Sequence, residues 1–333
     1  MATYKEIFGT NIEVLASDPA NPIQGQVWYN STDNVVKGAV LQAAAWATGG
    51  NLNTAREGAG SAGTKTSGLF VSGRIGPAGV PPGISADTEL YNGSAWTEVN
   101  NLNAGRWQMT GFGADNTAAL AFGGQLAPVP SGSKTVNTES WNGTSWTEVN
   151  NLNVAKSQQA GIGTQTSGLA VGGNPAPTGE TESWNGTSFT EVGDLNTARN
   201  AMGGAGVDNT SGLVFGGDTP PATAITESWN GTSWTEVGDL NSARRILGGA
   251  GIQNSALAFG GLIAAASALT ESWNGTSWTE TTDLSTARWA LGSAGSNNTS
   301  ALAFGGDTPP RTFTTATEEW SGATITPATF TDS

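Results

Sequence analysis

The chain of 333 residues has no histidine and no cysteine, which removes the commonest general base, the commonest metal ligand and the thiolate nucleophile together. The chemistry left is that of carboxylates, guanidinium groups and aromatic rings. Two acids, Asp218 and Asp307, open identical Asp-Thr-Pro-Pro segments. A pair of carboxylates facing one pocket would suit glycoside hydrolysis; a local turn role suits an Asp leading a Pro-rich segment and is the favoured reading. A basic residue (Arg56, Arg106, Lys156, Arg199, Arg244, Arg288) and a glutamate (Glu89, Glu139, Glu182, Glu227, Glu271, Glu318) each recur six times. Such recurrence is architectural, and each pair is expected to lock the start of a strand by a charge-assisted hydrogen bond. The residue after each basic position varies: Glu57, Trp107, Ser157, Asn200, Arg245, Trp289. Trp107 and Trp289 are therefore tryptophans the repeat does not require. They either pack against neighbouring loops or stack on a ligand such as a sugar.

Composition narrows the partners. Only 12% of residues are charged and the net charge is -14, against the clustered Lys and Arg that nucleic acid demands. Residues 1 to 40 lack the basic start and apolar core of a secretory signal, and no apolar run is long enough to span a bilayer. A soluble protein without metal or cofactor, and without membrane insertion, is expected.

The elements that position these residues come from one repeated unit. An aromatic residue precedes the basic one by ten positions in all six copies: Trp46, Trp96, Trp146, Phe189, Trp234, Trp278. In TESWNGTSWTEV (residues 138 to 149) two short runs flank Asn-Gly, the strongest short hairpin signal, for which a tight primed turn is expected. In AMGGAGVDNTSGLVFGG (residues 201 to 217) a small-residue strand meets a polar turn and then an apolar strand ending in Gly-Gly. Four short strands every 43 to 50 residues, with no helical periodicity, predict a propeller blade, and six units predict six blades. The last blade needs a fourth strand. The segment from Val40 to Thr48, pairing with Thr315 to Trp320, is expected to supply it; the tail around Ile325 is the rival. The turns inside the hairpins are nearly uniform, whereas the loops after Gly-Gly differ in every copy. Arg74, Gln125, Asp218, Asp307 and Arg311 lie on these variable loops and, with Trp107, Arg245 and Trp289, are the ligand-binding candidates.

The outer-strand Trp, the Leu-x-x-x-Arg connection, the apolar strand ending in Gly-Gly and the acidic-aromatic strand together resemble the kelch repeat, over about residues 41 to 325. Trp-Asn replaces the usual Tyr-Asp of the third strand in most copies. Kelch-like copper oxidases need His, Tyr and a modified Cys, and this chain has only Tyr4, Tyr29 and Tyr91 of that set. Ahead of the repeat, NPIQGQVWYNSTDN looks like the N-terminal segments of bacteriophage tail-fibre and related virion proteins. The resemblances imply an all-β protein: an attachment segment with a short β-hairpin (residues 1 to 40), a six-bladed kelch-like propeller closed by an N-terminal strand (41 to 326) and a tail (327 to 333). They imply a non-enzymatic virion component, with Trp28, Tyr29 and Asn30 as attachment candidates towards other virion proteins. Its variable face would meet a host-surface glycan or protein, and assembly as a homo-oligomer is compatible with that role. The alternatives are an extracellular bacterial kelch-type binding module and a propeller glycoside hydrolase.

Overall fold

Within TESWNGTSWTE, Thr138–Trp141 and Trp146–Glu148 pair antiparallel, with Trp141 opposite Trp146. The connection is not the tight primed turn expected. Asn142 to Ser145 form a four-residue loop in which only Gly143 takes a positive φ, +88°. The Asn142 Oδ1 accepts hydrogen bonds from the amides of Thr144 and Ser145, each 2.9 Å. The asparagine therefore caps the loop with its side chain, and glycine alone supplies the left-handed backbone.

In the fourth copy, a hairpin of Gly203–Asp208 and Ser211–Phe215 joins one of Thr226–Trp229 and Trp234–Glu236 to make a four-stranded antiparallel sheet. The computed structural model describes residues 12–76, 83–128 and 132–330. Among them there is no helix, and seven four-stranded sheets form. The chain divides into two compact units, Trp46–Ser321 and a smaller one made of Met1–Ala45 with Gly322–Ser333.

The larger unit carries six of the sheets in a propeller-like repetition. The small-residue strands Gly60–Thr64, Thr110–Asp115, Ala160–Thr164, Gly203–Asp208, Gly248–Ile252 and Gly292–Asn297 lie side by side in that order, and Gly292–Asn297 also lies beside Gly60–Thr64. Glycine permits this approach: a Cβ on Gly249 would stand 2.7 Å from the amide nitrogen of Gly204. Behind these strands run the apolar ones, such as Ser211–Phe215 and Ser255–Phe259, whose Leu and Phe side chains are fully buried. Outer-strand tryptophans fill the spaces between sheets and donate to a threonine of the preceding sheet: Trp146 to Thr88, Trp234 to Thr181 and Trp278 to Thr226, at 2.9–3.1 Å. On the uniform side, the polar turn of one sheet clamps a neighbouring sheet, with Gln253 donating to Ser228 Oγ of the preceding sheet at 2.9 Å and Lys65 to Ser321 Oγ at 2.7 Å.

The repeated ion pairs are fully buried. Arg56, Arg106 and Arg244 approach Glu89, Glu139 and Glu271 at 2.8, 2.9 and 2.8 Å, Lys156 approaches Glu182 at 3.0 Å, and Arg199 and Arg288 pair with Glu227 and Glu318. The second carboxylate oxygen of Glu139 accepts from the backbone and side-chain nitrogens of Asn103. Each acid thus fastens the loop leading to its cation, which offsets the cost of burying charge.

The segment expected to run unbroken from Val40 to Thr48 is two strands. Ala45–Thr48 lies beside Thr317–Ser321 in the sheet of Gly292–Asn297 and Ser300–Phe304, with the Trp46 ring 5.3 Å from that of Trp320. Val40 and Leu41 belong instead to Val35–Gln42 and pair with Thr326 and Ile325. The tail around Ile325 is thereby engaged in the smaller unit, away from the position beside Trp320. That unit contains the expected hairpin, Val27–Asn30 with Val35–Gln42, flanked by Glu13–Leu15 and Thr324–Thr329. Pairing of Thr324–Thr329 with Val35–Gln42 is also why the unit boundaries fall after Ala45 and Ser321 rather than near residues 40 and 326.

Candidate ligand-binding site

Each variable position after a basic residue is bridged to the first residue after Gly-Gly of the same sheet. The pairs are Glu57 with Arg74, Trp107 with Gln125, Ser157 with Asn174, Asn200 with Asp218, Arg245 with Leu262 and Trp289 with Asp307. The Gly-Gly preceding them, Ser72-Gly73 in the first copy, makes this possible, because both residues take positive φ (+62° and +95° at Gly123 and Gly124, +62° and +106° at Ser72 and Gly73) and turn the chain back. Two sets of residues that vary from copy to copy, far apart in sequence, thus stand together on one invariant frame.

One position further on, Gly58, Gln108, Gln158, Ala201, Ile246 and Ala290 all have positive φ, a conformation that costs a non-glycine residue about 1–2 kcal/mol. Their backbones link in sequence: Gln158 N–H donates to Gln108 C=O, Ala201 to Gln158, Ile246 to Ala201 and Ala290 to Ile246, at 2.7–3.1 Å. Gly58 N–H then donates to Ala290 C=O at 3.0 Å. This chain of hydrogen bonds borders a cavity of about 330 Å³ walled by the small-residue strands.

The cavity is lined on this side by Glu57, Arg74, Trp107, Trp289 and Arg311. Arg74 forms an ion pair with Glu57, and its guanidinium carbon lies 5.2 Å from the Trp107 ring centre and 5.1 Å from that of Phe313. Trp107 is only 8% exposed, and its indole N–H has no hydrogen-bond partner. The side chain of Asp307 is wholly buried, with Arg311 Nε 3.5 Å from its Oδ2, long for a hydrogen bond. Burial pushes the Asp307 carboxyl above its ordinary pKa. Burial raises Glu57 too, opposed by Arg74 and reinforced by the charge of Asp307.

Of the candidates read from sequence, Arg74, Trp107, Trp289 and Arg311 line the cavity, and Asp307 stands behind Trp289, exchanging backbone hydrogen bonds with it at 3.1 and 2.9 Å. Gln125 is buried behind Trp107 and donates to Gly132 C=O at 2.7 Å. Asp218 and Arg245 pair with each other at 2.6 Å, outside the cavity lining. Asp218 and Asp307 are thus held by different arginines. Glu57, Gln108 and Gln158 also line it, and Phe313 packs against Arg74; their residue types give no sign of it in the sequence. The attachment candidates are internal to the smaller unit: Trp28 and Asn30 are buried and donate to Asp18 at 3.1 and 2.8 Å, and Tyr29 donates to Asn34 at 3.2 Å. Hydrogen bonds from Lys37 and Asn30 hold Asp18 below the ordinary carboxylate range.

Among the described residues, no group of three or more acidic side chains is placed to hold a metal ion. No family model matches the chain, and no curated protein matches it in sequence.

Proposed function

We propose that the chain is a non-enzymatic structural protein of a bacteriophage virion, in which a six-bladed kelch-like propeller displays its variable loops to a host-surface glycan. In this reading the sixth blade is completed by Ala45–Thr48 and the ring closes between Gly292–Asn297 and Gly60–Thr64. The neighbouring of those two strands and the Gly58-to-Ala290 hydrogen bond support closure. One observation carries the binding reading: the two varying positions of every repeat are bridged to each other, and Glu57, Arg74, Trp107 and Trp289 among them line a walled cavity. Variation confined to one face of an invariant scaffold is the pattern of a recognition surface.

Attachment through residues 1–40 rests on the resemblance of their motif. Because Trp28 and Asn30 hold the sheet together internally, contact with other virion proteins would use the outer surface of that unit. Two experiments test the reading. The protein should be found by mass spectrometry in purified virions of the phage that encodes it, and Trp289→Ala should reduce adsorption to host cells while leaving the thermal midpoint nearly unchanged. Absence from particles returns the chain to the extracellular binding-module reading, and turnover of a glycan that is lost in Asp218→Asn or Asp307→Asn would favour the hydrolase.

A further inference from the structure

Basic residues are unevenly placed on the larger unit. Apart from the six buried repeat cations, Trp46–Ser321 contains Lys65, Arg74, Lys134, Arg245 and Arg311. Lys65 clamps the uniform side. The other four all lie on the variable loops or beside them, where Lys134 is bridged to Gln125. In a chain of net charge -14, these cations share their face with the acids Glu57, Asp218 and Asp307, which pair with Arg74, Arg245 and Arg311, so an anionic ligand is recognised only through donors those acids leave unspent.

The two arginines lining the cavity are not equivalent. Arg74 is paired with Glu57 and set against the rings of Trp107 and Phe313, with its Nε buried and unpartnered. Arg311 only approaches the buried Asp307, with Nε 3.5 Å from Oδ2, its side chain stays 56% exposed, and its two terminal nitrogens have no partner among the described residues. A planar guanidinium whose terminal donors are unspent matches the two oxygens of a carboxylate. Trp289 lines the same cavity.

We propose that this cavity takes a glycan bearing a free carboxylate, of the uronic-acid class, with Arg311 as the specificity-determining contact and a tryptophan as the stacking platform. The inference rests on the glycan-binding reading above but can fail without it. The test is titration of the full chain with uronate oligosaccharides, their methyl esters and their neutral counterparts, followed by tryptophan fluorescence and calorimetry. The expected result is at least tenfold tighter binding of the free acids than of the esters or neutral sugars. Arg311→Gln should abolish that preference in protein that still unfolds cooperatively, and Arg311→Lys, a point charge without the fork, should restore only part of it. Equal binding of esters or neutral sugars, or a preference for sulfated sugars, would overturn the carboxylate assignment and leave the recognition face standing. Absence of binding to every sugar overturns the assignment as well, and unchanged host adsorption by Trp289→Ala would remove the face with it.

Discussion

The indole N–H of Trp96 donates to the hydroxyl of Thr317 at 3.0 Å across 221 residues of sequence. Trp96 belongs to the sheet that follows Ala45–Thr48 in the chain, and Thr317 to the sheet that contains that strand. The contact has the same form as Trp146 to Thr88, between two sheets adjacent in sequence. The first and last sheets of the larger unit therefore meet through the same bond that joins consecutive ones.

Thr317→Val keeps the side-chain shape but leaves the Trp96 N–H buried without an acceptor, which should cost about 1–3 kcal/mol. Thr138 is the matching position where the facing outer-strand aromatic is Phe189, which cannot donate; its hydroxyl instead approaches Val136 C=O at 3.3 Å. Thr138→Val should cost under about 1 kcal/mol. Urea unfolding of the two variants separates the bond from the methyl packing.

Arg106→Met should destabilise the fold by about 3–5 kcal/mol, because it strands Glu139 in the interior without its cation. Adding Glu139→Gln should recover a large part of the loss, since the amide can still accept from Asn103. Equal midpoints for the single and double variants would show that the loop bond, not the charge, sets the cost.

The repeat was legible because its signals are local. Asn-Gly, alternating aromatics and Gly-Gly each report on a few neighbouring residues, and the ten-residue interval from aromatic to basic residue survives in all six copies. The split of residues 35 to 48 into two strands was not legible, because which sheet takes Val40 depends on Thr326, nearly three hundred residues away. Nor was the run of positive φ beside the cavity: Gln108, Ala201 and Ile246 are residues that ordinarily avoid that conformation, held there by bonds to their neighbours in other repeats. Trp107 was found as a residue the repeat does not need, but its burial comes from Arg74 and Gln125, which reach it only after the loops fold back.

Burial raises the Asp307 carboxyl above its ordinary value of 3.8, so the folded protein holds this proton more tightly than the unfolded chain. The stability it contributes is complete below that ordinary value and is lost as pH rises through the folded pKa. The thermal midpoint of Asp307→Asn, relative to the parent protein, should therefore climb as pH increases across that window. A difference that falls with pH would mean that Arg311 dominates the site instead.

Tyr91 stands where most other copies have Trp, and its phenol donates to Glu319 Oε1 at 2.6 Å. Burial first, and then that acceptor, push its pKa to about 12. Ultraviolet titration should show a tyrosinate step near pH 12 that disappears in Tyr91→Phe; a step of unchanged size would place Tyr91 in water.

Closure of the ring is the claim on which the cavity and its recognition face both depend. The Ser293 amide donates to Ser61 Oγ at 3.2 Å, between the small-residue strands of the sixth and first sheets. Because the chain has no cysteine, Ser61→Cys with Ser293→Cys gives a clean reporter under mild oxidation. Mass spectrometry of the oxidised monomer should show an internal disulfide linking the two positions; two free thiols in a folded monomer would contradict the closed ring.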